Sequence, residues 1–106
     1  GHLEVVQALL AAGASKDQAM NDGATPLYIA SQNGHLEVVH ALFAAGASKD
    51  QASNDGATPL FMASQNGHLE IVQALLAAGA SKDQARNDGA TPLFMASQNG
   101  HLEIVQ

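Results

Sequence analysis

Cysteine and tryptophan are absent from this 106-residue chain, and one tyrosine and three phenylalanines are its whole aromatic content. Without thiols, disulfides and thiolate metal sites are excluded, and the sequence carries no record of its redox compartment. A core here must rest on Leu, Val, Ile and Ala. Strong cations are equally scarce: Lys16, Lys49, Lys82 and Arg86 stand against ten carboxylates, for a formal net charge of −6. Four cations are too few for a phosphate-binding stripe, which argues against nucleic acid and anionic membranes as partners. No apolar run approaches the length of a membrane span, and no leader pattern opens the chain. The expected location is therefore the cytoplasm. The first residue is Gly rather than Met, which reads as a piece of something longer or a processed product.

What is present is repetition. The string NDGATPL occurs at Asn21–Leu27, Asn54–Leu60 and Asn87–Leu93, and GHLE opens at Gly1, Gly34, Gly67 and Gly100. The period is 33 residues, with units at 1–33, 34–66 and 67–99 and a stub at 100–106. No linker interrupts them, so residues 1–106 read as one repeat domain. Within a unit, Asp-Gly predicts a tight primed hairpin turn. Thr25 and Pro26 predict a helix start, the threonine capping free N–H groups and the proline sitting where no donor is needed. A short helix over 59–65 follows. Leu36, Val39, Leu42 and Phe43 then recur at helical spacing, giving a longer helix over 36–45 that ends at Gly46. The same pattern covers 3–12 and 69–78.

A lone unit cannot cover its apolar stripe, whereas stacked units can, giving a solenoid whose stability is a sum over neighbours. The 33-residue period, the TPL string, the GHLEVV helix and the LL..GA ending make the chain resemble the ankyrin repeat over essentially its whole length. The resemblance implies an all-α helical solenoid with β-hairpins projecting to one side. Two departures stand out. Tyr28, Phe61 and Phe94 replace the family's TPLH histidine, so that residue's hydrogen bonds must be absent or replaced. Lys16, Lys49 and Lys82 occupy a position that usually carries a half-buried valine, which predicts a packed stem with the ammonium in water.

Catalytic and metal chemistry find little support. Histidine recurs at His2, His35, His68 and His101, but zinc ligands must converge to about 2.0–2.1 Å from one ion. Equivalent residues on stacked helices lie roughly 8–10 Å apart. These histidines are better read as fixing the start of the longer helix. Glu4, Glu37, Glu70 and Glu103 suit the positive end of a helix dipole, and Asp22, Asp55 and Asp88 suit the turn. Ser31, Ser64 and Ser97 read as small packing residues rather than nucleophiles, and no phosphate-binding glycine string occurs. The reading is no enzyme, no metal and no cofactor.

Surface recognition remains. In proteins of the resembled family, partners dock on hairpin tips and on the concave face of the short helices. By position, the first unit then offers Met20, Asn21, Asp22, Gln32 and Asn33. The second offers Ser53, Asn54, Asp55, Gln65 and Asn66. The third offers Arg86, Asn87, Asp88, Gln98 and Asn99. The full units differ only at Val5/Val38/Ile71, Gln7/His40/Gln73, Leu10/Phe43/Leu76, Met20/Ser53/Arg86, Tyr28/Phe61/Phe94 and Ile29/Met62/Met95. Met20/Ser53/Arg86 is the least conservative of these sets and falls on the predicted hairpin. The expected function is non-catalytic protein–protein interaction. The rest of this surface is copied almost unchanged, which suits a repetitive partner, a spacer or a recently duplicated array, so the alternative is a structural spacer or end-to-end stacking segment of a longer array. The chain begins on a long helix without its short partner and stops at Gln106, early in another. Apolar surface is expected at both ends, with end-to-end self-association or further repeats to cover it.

Overall fold

The computed structural model describes residues 2–105, with only the backbone of His2. Expectations about Gly1, the His2 side chain and Gln106 lie outside the described residues. Among these residues, seven helices follow one another: α1 (His2–Ala11), α2 (Pro26–Asn33), α3 (Leu36–Ala44), α4 (Pro59–Gln65), α5 (Leu69–Ala77), α6 (Pro92–Gln98) and α7 (Leu102–Val105). The even-numbered short helices stack in one layer and the odd-numbered ones in a second, each helix against its counterparts one unit away. The stack measures 40 × 26 × 22 Å.

Local chemistry starts the short helices as expected. The hydroxyls of Thr25, Thr58 and Thr91 accept the backbone N–H groups of Tyr28, Phe61 and Phe94 at 3.2, 3.1 and 3.1 Å. A proline opens each of these helices, where its missing donor would have had no partner anyway. The long helices end within a residue of expectation, and Gly46 follows α3 in the left-handed region at φ 84°.

The turn before each short helix differs from the primed hairpin that Asp-Gly suggests. A primed type I turn needs positive φ at both central residues. Among the described residues only glycines have positive φ, so Asp22 does not, while Gly23 sits at 85°. The N–H of Gly23 donates to the Met20 carbonyl, and the N–H of Met20 donates to that of Ala24. Asn21, Asp22 and Gly23 thus form a three-residue loop ending in a left-handed glycine, the other common hairpin closure. The two flanks are too short to form a strand among the described residues.

Burial runs along the stack. Leu27, Val39, Leu42, Leu60, Ile71 and Leu75 form one apolar seam between the layers, with Ala30 and Ala63 letting the short helices approach. A second, smaller cluster of Ala57, Phe61 and Met62 lies under the hairpins. Ser31 and Ser64 are also buried, which suits close packing.

Two substitutions probe this arrangement. Leu42, 1 % exposed, should cost about 2–5 kcal/mol on truncation to alanine, as buried leucines do. Thr58→Ala should cost about 1 kcal/mol through loss of its cap. Urea unfolding monitored by circular dichroism measures both; unchanged midpoints would show that the helices are held differently.

Candidate functional site

The fifteen residues singled out by position form two rows. One follows the hairpin tips and the other the C-terminal ends of the short helices. The asparagine amides of the second and third units join each unit to the one before. The Asn54 side chain donates to the Asn21 carbonyl at 3.0 Å, and Asn87 donates to Asn54 at 3.1 Å. Beside each, a backbone N–H of the same asparagine reaches the preceding aspartate carbonyl, Asp22 at 2.8 Å and Asp55 at 2.7 Å. In the second row, Asn66 donates to the Gln32 carbonyl at 2.9 Å and Asn99 to that of Gln65 at 2.8 Å.

The histidines complete this seam. Nε2 of His68 lies 3.1 Å from the Gln32 carbonyl, and Nε2 of His101 lies 2.9 Å from that of Gln65. A carbonyl only accepts, so each Nε2 is the donor. The ring of His68 covers Gly34, where an added Cβ would meet it at 2.8 Å. The loops are joined likewise: Asp17 accepts the Ser48 N–H at 2.9 Å and Asp50 that of Ser81 at 3.0 Å. The stems of Lys16 and Lys49 approach Gly46 and Gly79 of the following unit, so the expected stem packing is present at these two, whereas Lys82 is exposed. The Asp22, Asp55 and Asp88 carboxylates each accept the backbone N–H two residues on, closing the hairpin from within.

Two of the three hairpin positions that differ most between units, Ser53 and Arg86, face a different neighbour. Arg86 lies over the ring of Phe61, one unit back, with its guanidinium carbon 4.9 Å from the centroid, within cation–π range. The Ser53 hydroxyl lies near the phenol of Tyr28, again one unit back. Burial raises the Tyr28 pKa first, the Ser53 hydroxyl opposes it, and nearby Asp55 and Asp22 add to the rise. Ser53 donates its proton to the Asp55 carboxylate. That bond is the largest cause of the low Asp55 pKa, to which the Ala57 N–H and Arg86 add. Position alone did not single out the aromatic column Tyr28, Phe61 and Phe94. The signal was available, because it varies between units at the same time as the hairpin residue that covers it.

At the last hairpin, Arg86 clamps Asp88 with two bonds, Nε to Oδ1 at 3.1 Å and Nη2 to Oδ2 at 2.7 Å. Arg86 and Asp88 line a cleft of about 540 Å³ with Phe94, Met95 and Gln98. This is where the sequence-chosen residues, Gln98 included, converge around one space. Met20 and Asn33 line a second cleft at the opposite end of the stack. No group of three potential metal ligands gathers among the described residues.

The Arg86 clamp, assisted by the Ala90 N–H, pulls Asp88 down to about 2. A lowered carboxylate pKa contributes stability that is present above the ordinary value near 3.8 and is lost as pH falls through about 2. NMR titration should place the Asp88 midpoint near 2 and return it toward the ordinary carboxylate range in Arg86→Gln. For the seam, Asn54→Ala should destabilise by about 1 kcal/mol, as a lost hydrogen bond does. Asn21→Ala, whose amide has no partner among the described residues, should leave the urea midpoint unchanged. Equal effects from the two would overturn the cross-unit role of the asparagine amide.

A family model described as ankyrin repeats (3 copies) matches residues 1–53 and 45–106. No curated protein matches the chain.

Proposed function

The chain belongs to the ankyrin repeat family, and from that premise we propose that it is a non-catalytic module binding a protein partner along its hairpin tips and concave short-helix face. Ankyrin repeats in general serve protein–protein interaction and are generally not catalytic. The observation that carries the finer reading is the cleft at the last hairpin. There a clamped Arg86–Asp88 pair stands beside Phe94, 57 % exposed. Charge and an open aromatic face in one concavity suit a peptide segment carrying both an apolar and a polar side chain. Of the fifteen residues first chosen, Arg86, Asp88 and Gln98 are the ones expected to discriminate. Asn54, Asn66, Asn87 and Asn99 contribute by holding the surface in shape. No helix among the described residues is long and apolar enough to cross a membrane.

A second reading, a stacking segment or spacer within an array, is supported by apolar exposure at both ends. Val5 and Leu9 are open at one end, and Leu93, Phe94 and Leu102 at the other.

The test of the first reading is affinity capture on the immobilised chain, followed by calorimetric titration of whatever protein it retains. Arg86→Ala/Asp88→Ala/Gln98→Ala should weaken that binding at least tenfold, about 1.4 kcal/mol. Glu37→Gln, on the long-helix layer, should leave it unchanged. Equal binding by the triple variant would place the contact elsewhere.

A further inference from the structure

An asparagine followed by glycine recurs at Asn33, Asn66 and Asn99, and the Asn66–Gly67 step has a full unit on each side. Asn66 closes α4 at φ −95° and ψ 2°, and Gly67 follows in the left-handed region at φ 75°. The Asn66 side-chain amide donates to the Gln32 carbonyl of the unit before at 2.9 Å. Nε2 of His68 reaches the same carbonyl at 3.1 Å, and the His68 N–H closes the turn on the Ala63 carbonyl at 2.9 Å. From the other side the His101 ring covers Gly67, where an added Cβ would meet it at 2.6 Å. Asn66 itself is exposed to water.

Such a step carries its own electrophile and nucleophile. The glycine nitrogen, once it has lost its proton, can attack the side-chain carbonyl carbon of the asparagine, and glycine has no Cβ to shield it. Closing that imide ring requires the Gly67 nitrogen to eclipse the Asn66 Cβ about the Cα–C bond. At ψ 2° it eclipses the Asn66 backbone nitrogen instead, and its N–H is directed to the Ser64 carbonyl at 3.4 Å. Turning ψ to the reactive value swings Gly67 and His68 away. It breaks the Ala63 bond, the His68 contact with Gln32 and the fit under His101. The reaction is therefore shut off while the seam is closed.

We propose that Asn66 is a self-modification site gated by the seam that joins its unit to the one before: opening frees the step, and deamidation then makes the opening permanent. The Gly67 nitrogen bonds to Asn66 Cγ, the Cγ–Nδ2 bond breaks, and Nδ2 leaves as ammonia with the proton. Water then adds to one of the two imide carbonyls and opens the ring to aspartate or isoaspartate. Either carboxylate only accepts, so it meets the Gln32 carbonyl with no proton to share. Isoaspartate also lengthens the backbone of the turn that places His68. A negative charge at the C-terminal end of α4 is unfavourable in its own right.

Tryptic mapping of residues 50–82 in mildly alkaline buffer follows the reaction. A step that reacts only when open proceeds at the unfolded rate multiplied by the open fraction, so modification should run at least roughly tenfold slower than in urea above the unfolding midpoint. His68→Ala removes one hold and leaves the step intact, and it should speed modification of the folded chain severalfold. Leu27→Ala, at a buried contact of α2, should do the same, with circular dichroism showing which variants are folded at the start. If Leu27→Ala does not fold, His68→Ala carries the comparison. Asn66→Asp and the deamidated chain should both unfold at lower urea than Asn66→Ala. Equal rates in buffer and urea, or a His68→Ala rate equal to that of the unmodified chain, would overturn the gate. An Asn66→Asp midpoint at or above that of Asn66→Ala would overturn the permanence, and no modification even in urea would remove the site.

Discussion

No unit of this chain satisfies itself; the structure depends on satisfaction at a distance of one period. The apolar flanks of the first two short helices are covered by the helices beside them, and the carbonyls of the first two hairpin tips and short-helix ends receive their donors from the next unit. Most of these bonds are exposed and each contributes little alone, but all require one alignment, so the polar seam fixes register while the apolar seam supplies the driving force. A slip of one residue would break the asparagine, histidine and aspartate contacts together. This is the one-dimensional arrangement expected of repeats, with stability accumulating joint by joint.

That constraint decides which features were legible in the sequence. Elements set by neighbours a few residues away read correctly. Thr58 and Pro59 start a helix whatever lies beyond them, and Leu36, Val39 and Leu42 mark one face. The hairpin turn is set locally too, since the last one closes the same way with nothing near Gly89; what could not be read is the side chain that packs on it, which belongs to another unit. Asn54 packs directly on Gly23, where an added Cβ would lie 2.8 Å from the Asn54 side-chain oxygen. The space for that contact comes from a three-residue loop with glycine at its end. The roles of Asn66 and His68 were hidden for the same reason, since their partner, the Gln32 carbonyl, lies 34 and 36 residues earlier.

The uniformity of the presumed docking surface takes on a different meaning once these bonds are seen. Identical asparagines and glutamines in successive units need no repetitive partner to explain them, because each joint requires the same donor and the same acceptor. The freedom lies one step inward, where a hairpin side chain meets the aromatic ring of the unit before it. Serine against tyrosine and arginine against phenylalanine are two solutions to one contact. A hydroxyl lies beside the phenol, and a cation over the bare ring. At the ring position, which carries histidine in the family's usual string, Phe61 is joined to the next hairpin through Arg86.

The same reasoning reassigns the acidity of the chain. Asp17 and Asp50 accept N–H groups from the following loop, Asp22, Asp55 and Asp88 close their own hairpins, and Glu4, Glu37, Glu70 and Glu103 sit in first helical turns. Every carboxylate series except Asp83 at the last loop is thus placed by a local or cross-unit structural need, and the net charge of −6 is a by-product of building the stack. A by-product still exerts a field: regularly spaced carboxylates along one edge favour cationic visitors and quicken their encounter without choosing among them. Choice falls to the few positions free to vary, and at the last hairpin Arg86 neutralises Asp88 beside an open phenylalanine. That end of the row is therefore the least acidic, and its open ring gives the proposed partner an apolar hold as well as an attraction.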